Sequence, residues 1–306
     1  MKKVVQLLIV CALIVVVVVA LAQRNQGTED TSTVTPSISA AASTYILGHM
    51  IEQVGGDLVD VIDIVPVGVD SHDFEPNHRD ITRLYNTDLF VYNGAGIDAW
   101  AERIADEIQL NGATVVEMSS KLDLMQRDDG EGVDPHVWLD PMKVSEEIEV
   151  IRIELSSLDP EHKKEYARNA EEFTAQLRQL DEQFTSQLAQ CESRNIVVAH
   201  DAFTYLGNAY DINIIPIAGL SPESEPSPKR LSEIATRARE KNVTTVFFES
   251  FASPRLSETI ATEIGASTAV LQTIEGLTQD QKNAGEGYIS LMEQNLHNLK
   301  AAMNCQ

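Results

Sequence analysis

Residues 161–190 read EHKKEYARNAEEFTAQLRQLDEQFTSQLAQ, and this stretch decides the fold. It holds neither Gly nor Pro, and Phe173, Leu177, Leu180, Phe184 and Leu188 recur at helical spacing. Thirty helical residues rise roughly 45 Å, enough to cross a domain. No heptad seam runs long enough for a coiled coil, so the rod is read as a rigid connection. On both sides short β-like runs alternate with helical stretches, which points to parallel βαβ units. Before it, strands are expected over 34–39, 59–65, 89–93 and 114–118, and helices over 43–54, 80–86 and 100–109. From 141 the pattern is helical, broken at Leu158-Asp159-Pro160. After the rod, strands are expected over 196–199, 212–216, 244–248 and 269–272, and helices over 229–241, 255–264 and 288–303. The chain is therefore read as α/β: two βα lobes with parallel sheets, joined by a single long rigid helix. The expected lobes are 36–158 and 191–306, with 159–190 as the linking helix.

Four residues of this layout have the chemistry of a metal site: His72, His136, His200 and Glu249. Each falls where an apolar run gives way to a turn or a helix start, the edge of an α/β sheet where ligands bind. Three imidazoles and one carboxylate form a closed tetrahedral set suited to Zn²⁺. Two come from each half, so a metal held by them would lie in the cleft between lobes. His72 lies in Ser71-His72-Asp73-Phe74-Glu75-Pro76, where the ordinary alternative is a surface histidine; His78 is a weaker competitor. Asp134-Pro135-His136-Val137-Trp138-Leu139-Asp140-Pro141 is more distinctive, because the prolines restrict the backbone on both sides. Asp140 has two compatible roles, capping the helix that opens at Pro141 and fixing an imidazole tautomer, with the cap the stronger. The acidic run 128–134 lacks the spacing of a calcium loop and reads as a solvated loop.

Composition narrows the function. The formal net charge of −24 disfavours nucleic acid as a partner, since a phosphate backbone is bound by Lys and Arg. No phosphate-binding G-x-x-x-x-G-K-[ST], no G-x-S-x-G and no H-E-x-x-H is present. A catalytic zinc site keeps one position open for water, which four protein ligands would fill. Met1-Lys2-Lys3 precedes an uncharged apolar segment from Val4 to Ala22, and residues 23–35 are a polar tether. Residues 1–22 are either a cleaved signal peptide or a retained anchor, and both readings place the fold outside the cytoplasmic membrane. Cys11 lies inside that segment, and Cys191 and Cys305 could pair or remain as thiols.

The ordered motifs His72-Asp73-Phe74-Glu75-Pro76, Asp134–Pro141, Ala199-His200-Asp201-Ala202-Phe203 and Phe247-Phe248-Glu249-Ser250 resemble the solute-binding proteins of zinc and manganese ABC importers. The likeness runs over 34–303. It implies metal ligands at His72, His136, His200 and Glu249, and two lobes joined by one long helix. A third histidine goes with zinc rather than manganese, so His200 is the discriminating residue and Zn²⁺ is expected ahead of Mn²⁺. The resemblance further implies a non-enzymatic, extracytoplasmic monomer that delivers metal to an ABC permease with a separate ATPase. It would contact the membrane through its N-terminal segment if that is retained. A surface adhesin on the same fold is the alternative, and a zinc hydrolase using Glu75 or Glu249 as general base is the remote one. The histidine-rich loop of many zinc-type relatives is missing, and Cys11 is misplaced for the lipid attachment many of them carry.

Overall fold

The computed structural model describes residues 36–127, 130, 132–220, 226–250 and 253–306; the expected leader and tether lie outside them. Two four-stranded sheets are formed, every pairing parallel. The first is built from β1 (Ile38–Ala42), β2 (Val59–Asp63), β3 (Leu89–Tyr92) and β4 (Thr114–Glu117), in the order β2-β1-β3-β4. The second repeats that order as β6-β5-β7-β8, with β5 (Asn195–Val198), β6 (Asn213–Pro216), β7 (Thr245–Phe248) and β8 (Ser267–Val270). Each sheet has a point where the chain reverses its direction of winding, between β1 and β3 and between β5 and β7. Ligands of open α/β sheets bind in the crevice outside the carboxyl ends at such points.

The helices are α1 (Tyr45–Gly55), α2 (His78–Leu84), α3 (Ala99–Leu110), α4 (Pro141–Leu158), α5 (Lys163–Gln187), α6 (Thr204–Tyr210), α7 (Pro228–Glu240), α8 (Arg255–Ile264), α9 (Gln279–Ala284) and α10 (Tyr288–Met303). The boundaries follow from local chemistry. Asp140 caps α4 by accepting from the Met142 N–H at 2.8 Å, with Pro141 in the first turn where no donor is needed. The break before α5 is fixed by Asp159, which accepts from Ser37 Oγ at 2.7 Å and from the Tyr166 hydroxyl at 3.1 Å. Helices α6 and α9, of 7 and 6 residues, are absent from the sequence reading: α6 is interrupted by Gly207, and α9 buries no side chain and so shows no apolar face.

Period-2 alternation along the strands sorts the core into layers. Ala40 and Ala42, Leu89 and Val91, Ile196 and Val198, and Phe247 face one central cluster that runs through both lobes. Ala41, Phe90 and Tyr92 face a smaller outer cluster in the first lobe, and Val197 and Val246 its counterpart in the second. Helix α5 lies along the central cluster, burying Phe173, Leu177, Leu180 and Phe184. Near its start Asn169 donates to the Val54 carbonyl at 3.0 Å. Near its end Asp181 accepts from the Tyr210 hydroxyl at 3.0 Å and Gln187 from Lys300 Nζ at 2.8 Å. One rod is thus bonded to both lobes. Cys191 and Cys305 form a disulfide across a sequence separation of 114, tying the entry of the second lobe to the end of α10.

Candidate metal centre

The carboxyl edges of the sheets deliver the functional side chains. His72 lies on the loop after β2, His136 at the head of the short helix Val137–Leu139, His200 two residues past β5, and Glu249 directly after β7. The three imidazoles converge, with ring centroids 5.6 Å (His72–His136), 5.7 Å (His72–His200) and 5.3 Å (His136–His200) apart. The carboxylate that meets them is Glu275, on the loop after β8. One ligand atom from each of His72, His136, His200 and Glu275 lies within 4.8 Å of the other three. His72 Nε2 is 3.5 Å from Glu275 Oε2, and His136 Nε2 is 3.7 Å from Glu275 Oε1. These separations are long for hydrogen bonds. They are close to the edge of a tetrahedron with metal–ligand bonds of roughly 2.0–2.1 Å, which is about 3.4 Å.

Glu249 is placed differently from the sequence expectation. Its Oε1 lies 2.5 Å from His200 Nδ1, on the far side of the ring from the cluster. The reason is position: β5 and β7 are neighbours, so the residue ending β7 meets the side of the imidazole that follows β5. Glu275, one strand further and beyond a loop, reaches its front. No motif marks Glu275; the only sequence signal was an acidic residue shortly after the last strand. Asp140 acts as the helix cap, and the carboxylate on His136 is Asp134, whose Oδ1 accepts from the His136 backbone N–H at 2.9 Å and lies 2.8 Å from Nδ1. Asp70 Oδ1 likewise accepts from the His72 backbone N–H at 2.8 Å. His78 is exposed on the first turn of α2, and Glu75 pairs with Arg103 at 2.6 Å.

With carboxylates on Nδ1, His136 and His200 carry their protons there and turn the lone pairs of Nε2 to the centre. Nε2 of all three histidines and Oε1 of Glu275 are buried without a hydrogen-bond partner, which is costly unless something else binds them. His136 and His200 are fully buried, Glu275 is 4% exposed, and the His72 side chain keeps 8%. A cleft of about 520 Å³ opens onto His72 between Ala95, Ile97, Arg127 and Pro135 of the first lobe and Leu220 of the second. Burial alone would lower the His200 pKa, but the Glu249 carboxylate beside it, helped by Glu275, raises it to about 9. Burial would raise that of Glu275, yet its interaction with the His72 ring, with His136 and His200 behind, brings it down to about 2. His72 is raised: burial opposes the rise and Glu275 outweighs it. The pocket therefore favours positive charge at its centre.

A buried donor set of this kind, at the junction of two βα lobes spanned by one helix, defines a metal-binding solute receptor. The chain belongs to the family described as zinc-uptake complex component A, periplasmic (ZnuA), whose pattern matches residues 41–302. It is 35% identical over 272 residues to the high-affinity zinc uptake system protein ZnuA of Bacillus subtilis, covering 85% of each chain. It superimposes with a TM-score of 0.78 on Zn(II)-bound AdcA from Streptococcus pneumoniae, at 30% identity, over 88% of this chain and 58% of that one. It is also similar to the laminin-binding protein Lmb of Streptococcus agalactiae, described as bifunctional with adhesin and metal-transporting activity. There the TM-score is 0.79 at 34% identity, over 87% of this chain and 99% of that one.

Proposed function

We propose that the chain captures one Zn²⁺ through Nε2 of His72, His136 and His200 and a carboxylate oxygen of Glu275, and releases it to an ABC import permease. One observation carries this reading: four buried, unpartnered ligand atoms converge within 4.8 Å, drawn from both lobes. Zinc is the substrate, carried unchanged, and no catalytic step is involved; the family is one of binding proteins for metal uptake. Three borderline nitrogens and one oxygen in a closed four-ligand set suit Zn²⁺ better than the oxygen-preferring Mn²⁺. The protein works outside the cytoplasmic membrane, as the family description and its zinc-uptake relatives indicate.

Several finer points belong to the same proposal. The chain acts as a monomer, is led out by residues 1–22 as signal or anchor, and divides into 36–158, 159–190 and 191–306. Calorimetric titration of the protein purified without added metal should give one Zn²⁺ per chain, displaced little by excess Mn²⁺. In His136→Ala the stoichiometry should fall towards zero, and unchanged binding there would overturn the reading. A second role as an adhesin is supported by the likeness to Lmb. Retention on immobilised laminin, with and without Zn²⁺, tests it separately.

A further inference from the structure

The segment that brings Glu275 to the site has an unusual backbone. Ile274, immediately before Glu275, has φ +61°. A β-branched residue is a clear outlier in the left-handed region and stays there only when its surroundings over-determine it. Its side chain is 1% exposed and packed in the central cluster. On one side, Asn295 of α10 grips Gln272 at both backbone atoms: Asn295 Oδ1 accepts from the Gln272 N–H at 2.7 Å, and Asn295 Nδ2 donates to the Gln272 carbonyl at 2.8 Å. On the other, the Leu277 carbonyl accepts from the Gly68 N–H at 2.9 Å, a bond between the lobes. Between them Trp138 Nε1 donates to the Thr273 carbonyl at 2.7 Å, also across the lobes. Trp138 is itself fixed at both ends. Its ring meets His136 edge-on at 5.4 Å, and its carbonyl accepts from the Tyr288 hydroxyl at 2.7 Å.

We infer that Trp138 is a positioning residue for Glu275: its indole N–H latches the strained Thr273–Ile274–Glu275 backbone against the first lobe, so that the histidine side of the site holds the carboxylate side in place. The inference rests on Glu275 being a ligand. It also gives release a direction. A small separation of the lobes breaks the Trp138–Thr273 bond together with the Gly68–Leu277 bond, Ile274 relaxes out of the left-handed region, and Glu275 leaves the metal while the three imidazoles still hold it. Because the strain is held by bonds on both flanks, a partner needs to open one of them rather than swing a lobe.

The test is a double-mutant cycle on the full chain, with Zn²⁺ affinity read by chelator competition and dissociation by stopped-flow. Trp138→Phe keeps an aromatic ring beside His136 and removes the indole donor together with part of the ring volume, so one net hydrogen bond and some packing are lost. Zn²⁺ should bind about tenfold more weakly, chiefly through faster dissociation. Bound Co²⁺ should at the same time show weakened visible bands as the tetrahedral set loosens. In the Glu275→Ala background Trp138→Phe should cost nothing further, because the residue acts only through that carboxylate. If Trp138→Phe weakens binding equally in both backgrounds, the positioning role is wrong while the ligand set stands. If Glu275→Ala alone leaves affinity unchanged, the ligand assignment has failed instead. Asn295→Ser, which loosens the same segment from α10, should show the same dependence on Glu275; should Trp138→Phe not fold, an Asn295→Ser effect independent of Glu275 would overturn the inference.

Discussion

The two lobes share a strand order but support their histidines in different ways. In the first lobe the supporting carboxylates are local: Asp70 and Asp134 each lie two residues before the histidine they brace. In the second lobe the support is remote, since Glu249 reaches His200 across a sequence separation of 49. Local bracing lies within a motif, although the carboxylate on His136 is Asp134 and not the Asp140 weighed from sequence. Remote bracing depends on which strands are neighbours, and β5 and β7 lie side by side although β6 comes between them in sequence. The second lobe also contributes two carboxylates, Glu249 after β7 and Glu275 on the loop after β8, and only packing separates the one facing the histidine cluster from the one behind His200.

This contrast can be probed by removing one brace from each lobe. Glu249→Gln and Asp134→Asn should each weaken Zn²⁺ binding by about 10–100-fold, the usual cost of losing a carboxylate behind a ligating imidazole. The two should add only if each lobe positions its own imidazole independently, since the rings lie 5.3 Å apart and would share one ion. Full non-additivity in competition titrations would show that the lobes do not hold the metal independently.

Acidity should weaken binding next. His200 is raised to about 9, so below that pH a proton must leave before Nε2 can bind metal. Apparent affinity should therefore climb by up to about tenfold per pH unit between roughly pH 6.5 and 9 and then flatten. Calorimetry in buffers of different ionisation enthalpy should detect the released proton. In Glu249→Gln, where the carboxylate that raises His200 is gone, the climb should end at lower pH. The fold of the metal-free chain responds with the opposite sign: the imidazolium–Glu249 pair stabilises it below the ordinary histidine value and loses that contribution as pH rises through about 9.

The smallest effect should be on shape. A central core shared by both lobes, and a helix bonded to each, resist hinge bending. A compact unit of this length has a radius of gyration of about 18 Å. Zn²⁺ should change it by less than about 0.5 Å in solution scattering, because shear of packed elements moves less than a hinge. A compaction of several ångströms would show that α5 is not a rigid spine.

Much of the architecture was legible because periodicity carries it. The Gly- and Pro-free run appears as Lys163–Gln187, and Arg255–Ile264 and Tyr288–Met303 start and stop where their apolar spacing does. Strands shifted by a few residues, as at Ile38–Ala42, because the small residues Ala40–Ala42 carry little β signal of their own yet pack at the crowded centre of the sheet. The histidines stood out because a rare residue type follows apolar runs in distinctive motifs. Glu275 did not: it is one of 47 acidic residues, and what singles it out is a left-handed turn at Ile274 that no local pattern announces.

The most direct measurement is a Zn²⁺ competition titration comparing Glu275→Ala with Glu249→Ala. We expect Glu275→Ala to lose a first ligand and weaken binding by more than about 100-fold, with Co²⁺ losing its tetrahedral spectrum. Glu249→Ala should keep that spectrum and fall only within the range of a lost brace, about 10–100-fold. The opposite pattern, with Glu275→Ala binding Zn²⁺ as tightly as the unaltered chain and Glu249→Ala losing the tetrahedral spectrum, would contradict the assignment of His72, His136, His200 and Glu275 as the metal's four ligands.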